Sequence, residues 1–140
     1  MTVRAVHAEH DSTRLFGKKT EALGYVVNGT RTVYFLGDTD LFPALADTAP
    51  DVDVALIPIW GWGPSLGAGH LDPRKAAEAL ALIRPRIAVP IHWGTYYPLT
   101  ARKSTRDFLR APVGEFADAA AELAPAVDIR VLPVGGTLEL

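Results

Sequence analysis

Between Val54 and His92 the chain spells an apolar run, a loop, a capped helix and a second apolar run. That order constrains the fold more than any other feature. Val54-Ala55-Leu56-Ile57-Pro58-Ile59 is apolar without alternation, the pattern of a strand covered on both faces. Asp72 is placed to cap a helix, and Pro73 fits its first turn, where a missing N–H costs nothing. Ala76, Ala79, Leu80 and Ile83 recur at helical spacing and would face a sheet. Pro85 stops the helix at Arg84. Ile87-Ala88-Val89-Pro90-Ile91 then reads as another buried strand. The result is a β-loop-α-β unit and a layered α/β architecture.

Further short strands are predicted near 3–8, 23–28, 32–37, 52–59, 87–92 and 128–134, with a last one near 137–140. Asn28-Gly29-Thr30-Arg31 joins two of these runs, and Asn-Gly between apolar stretches is a strong hairpin signal. A second helix is predicted from about 114 to 123, with Phe116, Ala119, Ala120 and Leu123 on one face. A short third helix is expected after Asp40, over 41–46. At 140 residues the chain can bury a core and reads as one domain. Its net charge of −2, without a cationic block, points to neither nucleic acid nor membrane as a partner. The longest apolar runs are strand-sized and broken by Pro, Gly or charge, so no segment reads as a bilayer span. The default expectation is a cytoplasmic protein. Cysteine is absent, so any metal would be held by His, Asp or Glu.

Three apolar stretches each run into a residue that can bind a metal. The first leads through His7 to Glu9-His10, the second through Gly37 to Asp38, and the third directly to His92. Strand ends can aim several side chains at one point from a rigid base. Each residue also has an ordinary reading. His92 could be a buried histidine bonded to a carbonyl, Asp38 a turn residue, and His7 to His10 a polar turn. His7 and His10 would point to opposite faces of an extended strand, which leaves His10 the freer. Asp40 reads as a helix cap. The Gly-rich loop from Pro58 to Asp72 carries Trp60, Trp62 and His70, and long loops of this kind are often functional. His70 is a ligand, a substrate contact or a packed loop residue. Trp60 and Trp93 read as core or pocket wall.

Taken in order, five segments resemble hydrolases of the metallo-β-lactamase superfamily. They are Ala8-Glu9-His10-Asp11, Val33-Tyr34-Phe35-Leu36-Gly37-Asp38-Thr39-Asp40, Asp53-Val54-Ala55-Leu56-Ile57-Pro58, His70-Leu71-Asp72-Pro73 and Val89-Pro90-Ile91-His92-Trp93-Gly94-Thr95. The nearest branch includes L-ascorbate-6-phosphate lactonase. The resemblance implies an αβ/βα sandwich, of which residues 1–140 form a single partial domain: the C-terminal part, with a mixed β-sheet and flanking helices. It implies His10, Asp38 and His92 as metal ligands, with Asp38 bridging two ions. Asp38 and His70 would be catalytic, and Trp60, Trp62, His70 and Trp93 would line the substrate pocket. The implied cofactor is zinc, one or two ions, with manganese or iron as alternatives. A metal-bound hydroxide would attack a small-molecule ester, lactone or phosphoester.

The His-x-His-x-Asp-His signature of that superfamily is not in this sequence. The expectation is therefore a truncated domain that needs a complementing N-terminal half, or forms a homo-oligomer, for full activity. A sheet face of several hundred Å² left bare costs on the order of 10 kcal/mol at about 25 cal/mol per Å². The alternative is a non-catalytic remnant or interaction module without a competent metal site.

Overall fold

The computed structural model describes residues 1–10, 20–61, 66–95 and 109–140. Six strands form one mixed sheet in chain order. They are β1 (Thr2–Ala8), β2 (Ala22–Asn28), β3 (Thr32–Phe35), β4 (Val54–Pro58), β5 (Ile87–Ile91) and β6 (Asp128–Ile129). The pairs β1–β2 and β2–β3 are antiparallel, and β3 to β6 run parallel. Among the described residues three helices accompany them: α1 (Leu45–Thr48), α2 (Pro73–Ile83) and α3 (Ala111–Leu123).

The central β4–α2–β5 unit follows the sequence reading closely. Asp72 accepts a hydrogen bond from Lys75 N at 2.8 Å, and Pro73 occupies the first turn. Ala76, Ala79 and Leu80 are completely buried. The helix ends at Arg84, whose φ of +52° is the left-handed cap conformation. In-register residues of neighbouring strands share a face, so the alternation divides the sheet in two. Val6, Val26, Tyr34, Ala55, Ile57 and Ala88 pack with α2 and with Phe116 and Ala120 of α3. Burial pushes the Tyr34 phenol up to about 12, against the pull of its Thr48 hydrogen bond and the Arg4 charge.

The opposite face carries Val54, Ile87 and Val89, covered in part by Leu132 and Leu138. It continues across β1 to β3 as Val3, Leu23, Tyr25 and Phe35, all substantially exposed. An apolar face therefore lies open on the β1–β3 side of the sheet.

Several boundaries differ from expectation. β3 stops at Phe35, because the chain turns at Gly37. The hairpin keeps its expected ends: a three-residue loop, 29–31, is closed by a bond from Gly29 N to Arg31 O, with Asn28 paired to Thr32. The short helix starts at Leu45 rather than 41, after a turn at Pro43-Ala44. α3 begins earlier than expected, with Pro112 in its first turn. β6 is only two residues long: Arg130 N still reaches Ala88 O, but Pro133 has no N–H, and Gly135-Gly136 turns the chain. Residues 137–140 are not a strand, because they pair with no neighbour in the sheet.

Candidate metal centre

β1 and β3 both run antiparallel to β2, so their ends emerge on the same sheet edge as those of β4 and β5. That edge, beyond the carboxyl ends of parallel strands, is the usual ligand position in open α/β sheets. β1 leads to His10, β3 to Asp38, β4 to Trp60 and β5 to His92. His70 enters from the loop before α2. Leu36 N bonds Leu56 O at 3.1 Å and holds the β3 exit against β4. Gly37 then takes φ +73°, with Leu23 O only 2.5 Å from where a Cβ would stand. A glycine is needed there for the chain to turn and present Asp38.

The side chains converge on one oxygen. Asp38 Oδ2 lies 3.0 Å from His10 Nε2, 3.5 Å from His70 Nε2 and 3.8 Å from His92 Nε2. His10 Nε2 and His70 Nε2 are 3.3 Å apart. Donor atoms of His10, Asp38 and His70 all lie within 4.8 Å of one another, the one such group among the described residues. His70, which the sequence leaves open between ligand and substrate contact, thus sits inside the cluster, and His92 stands beside it.

The protons are allotted by the backbone. His92 Nδ1 donates to Trp60 O at 2.7 Å, and His70 Nδ1 donates to Ala68 O at 3.2 Å, because a carbonyl oxygen can only accept. In the neutral rings Nε2 is then a bare lone pair, and both lone pairs face a carboxylate oxygen. Asp38 Oδ1 is buried and has no hydrogen-bond partner among the described residues. More acceptors than donors point inward, and a bound cation would relieve that excess. Tetrahedral zinc with bonds of about 2.1 Å places its ligands roughly 3.4 Å apart. The 3.0–3.5 Å edges of the His10, Asp38, His70 triangle fit that spacing. Carbonyls that fix the tautomer of an imidazole from behind are typical of metal sites.

His92 pays for its position with backbone strain, at φ +62°. Gly61 lies beside the site: a Cβ there would make ordinary contacts of 3.9 Å with the His70 and His92 rings and would displace only the end of the Leu66 side chain, at 2.9 Å. Trp60 borders a cavity of about 620 Å³ that includes Asp72, Arg74, Glu115 and Asp118. Trp93 turns its indole N–H to Pro90 O at 3.2 Å and packs against the core. Trp62 lies outside the described residues. His7 is exposed and pairs with Glu9 at 3.2 Å, away from the cluster.

Sequence reasoning missed the residues that tie the site together. Asp40 caps no helix. It accepts bonds from Leu41 N at 2.8 Å and Gly69 N at 3.2 Å, and from Lys75 Nζ at 2.7 and 3.0 Å. Burial works to raise the Asp40 pKa, but the Lys75 hydrogen bond and charge, with the two backbone N–H groups, hold it below the usual carboxylate range. Thr39 is buried and accepts from Glu9 N through Oγ1 at 2.9 Å. Only the Asp-Thr-Asp string hinted at this role.

An αβ sheet that gathers three imidazoles and a carboxylate at one edge is the arrangement of a metallo-β-lactamase-type fold. The sequence model described as the beta-lactamase superfamily domain matches residues 1–93, and the chain belongs to that family. The UPF0173 protein of Pyrococcus furiosus is 40% identical over 94 residues, 67% of this chain and 39% of the relative. The UPF0173 metal-dependent hydrolase of Nanoarchaeum equitans is 34% identical over 100 residues, 67% of this chain and 44% of that protein. Igni18, a metallo hydrolase from the archaeon Ignicoccus hospitalis, superposes with a TM-score of 0.66 at 27% identity, over 99% of this chain and 53% of that one. The chain spans less than half the length of the curated relatives it matches.

Proposed function

We propose that this chain forms the C-terminal half of a metal-dependent hydrolase site, with His10, Asp38, His70 and His92 as the residues that hold the metal. One observation carries the reading: inward-facing imidazole lone pairs surround a carboxylate whose second oxygen is buried without a hydrogen-bond partner among the described residues. The donor set has nitrogen and oxygen but no sulfur, which suits zinc and admits manganese or iron. A bound ion would supply Lewis acidity and bring the pKa of water down towards about 7. The chain's own residues provide the rest. The Trp60 and Ala68 carbonyls lock the rings of His92 and His70, so no reorientation is needed when charge develops. The cavity that Trp60 borders is lined by none of the four site residues, so the substrate class, a small ester, lactone or phosphoester, rests on the metal chemistry and not on that cavity.

The whole protein's sandwich would cover the open face that bears Val3, Leu23, Tyr25 and Phe35. A complementing half with an apolar sheet face is the occupant this reading requires, and it would also supply the remaining ligands.

The test is metal content after purification without chelators, followed by melting of the stripped protein with zinc or manganese added. Occupancy at about 100 times the dissociation constant adds about 2.7 kcal/mol of stability. The reading expects Asp38→Ala to abolish that gain. A well-folded protein with no metal-dependent shift would overturn it. Hydrolysis of a lactone, an ester and a phosphodiester, assayed with the complementing half, then sorts the substrate class. Metal uptake without turnover there would favour a degenerate site, and neither metal nor turnover the non-catalytic module.

A further inference from the structure

We propose that Asp40 and Lys75 form a positioning pair that sets the geometry, and through it the affinity, of the metal centre without touching the ion. The inference rests on the metal-centre reading above. His10, Asp38 and His70 arrive on three separate segments, and all three are tied to the dipeptide Thr39-Asp40. Asp40 N donates to Glu9 O at 2.6 Å, and Glu9 N donates to Thr39 Oγ1 at 2.9 Å, which fixes the residue before His10. Leu71 N donates to Thr39 O at 2.8 Å, and Gly69 N donates to Asp40 Oδ2 at 3.2 Å. Both neighbours of His70 are therefore held from the segment that carries Asp38.

Most of these ties are neutral. The Asp40 carboxylate is the charged one, and its side chain is only 18% exposed. Two backbone N–H groups and Lys75 Nζ share its oxygens. Lys75 sits in the first turn of α2, with its own N–H on Asp72, so its origin is rigid. Nζ also reaches His70 O at 3.4 Å. The ammonium thus bridges the Asp38 segment and the His70 segment and pins both to α2. Without it, the carboxylate must rotate towards water, and the bond to Gly69 that orients His70 moves with it. Lys75 is 38% exposed, so as an ion pair alone it contributes little to stability. Its effect falls on where the His70 ring points.

Lys75→Met, Lys75→Arg, Asp40→Asn and Asp38→Ala test this in the full chain. Zinc affinity is read by competition with a chromogenic chelator, ligand geometry by the visible spectrum of the cobalt(II) form, and integrity by melting of the stripped protein. Replacing partners behind the ligands typically weakens metal binding about 10–100-fold, and that loss is expected for Lys75→Met, with an altered cobalt spectrum and an almost unchanged apo melting temperature. Lys75→Arg, whose fork spans both carboxylate oxygens, is expected to restore affinity and spectrum. Asp40→Asn should follow Lys75→Met. The proposal is overturned, with the metal-centre reading intact, when Asp38→Ala loses zinc while Lys75→Met and Asp40→Asn keep wild-type affinity and spectrum. A wild-type chain that takes up neither zinc nor cobalt overturns both.

Discussion

His92 combines a left-handed backbone, at φ +62°, with a 2.7 Å bond from Nδ1 to Trp60 O. Replacing it by Ala and by Gly separates the two. Both variants lose the hydrogen bond, worth about 0.5–1.5 kcal/mol net. The imidazole is 40% exposed, so little burial is forfeited. Alanine keeps the left-handed penalty of roughly 1–2 kcal/mol, and glycine does not. Glycine instead loses about 0.4–1 kcal/mol through the greater freedom of its unfolded chain. The net advantage of His92→Gly over His92→Ala is about 0.5–1 kcal/mol. One kcal/mol moves the melting temperature of a chain this size by roughly 3–4 °C. In chelator-stripped protein, calorimetry should therefore find the Gly variant melting about 2–4 °C above the Ala variant and close to wild type. Added zinc should stabilise wild type and neither variant. An Ala variant at least as stable as the Gly variant would refute the claim that the β5 exit is strained.

Two further outcomes follow from the fold. Gly37→Ala places a Cβ 2.5 Å from Leu23 O at a φ of +73°, and urea unfolding should reveal a loss of more than about 1 kcal/mol. Tyr34 has a folded-state pKa raised to about 12 by burial, so its contribution is fully present below about pH 10, the unfolded value, and is lost as pH rises towards about 12. Tyrosinate absorbance should appear late for this residue, and Tyr34→Phe should flatten that arm of the stability curve.

The parts of the fold legible in sequence were those written in local chemistry. Asp72-Pro73 starts α2 and Arg84-Pro85 ends it, because capping and proline geometry act within a few residues. The unalternating runs at Val54 and Ile87 announced strands covered on both faces. Residues 137–140 alternate as a strand does, yet a strand exists only with a partner, and their sequence cannot say that none is offered. His10, Asp38 and His92 were visible as polar residues ending apolar runs. The grouping of His70 with them depends on a loop anchored by Asp40 and Lys75, whose contact spans 35 residues. No short-range pattern encodes such a contact.

His10 and His70, neighbours in space, stand 60 residues apart along the chain. Ring closure over that length is entropically unfavourable, so an unfolded chain holds no preformed chelate and competes poorly for an ion. Whatever cation binds would reward the native state almost exclusively, which makes its grip a gauge of how completely the first five strands have assembled.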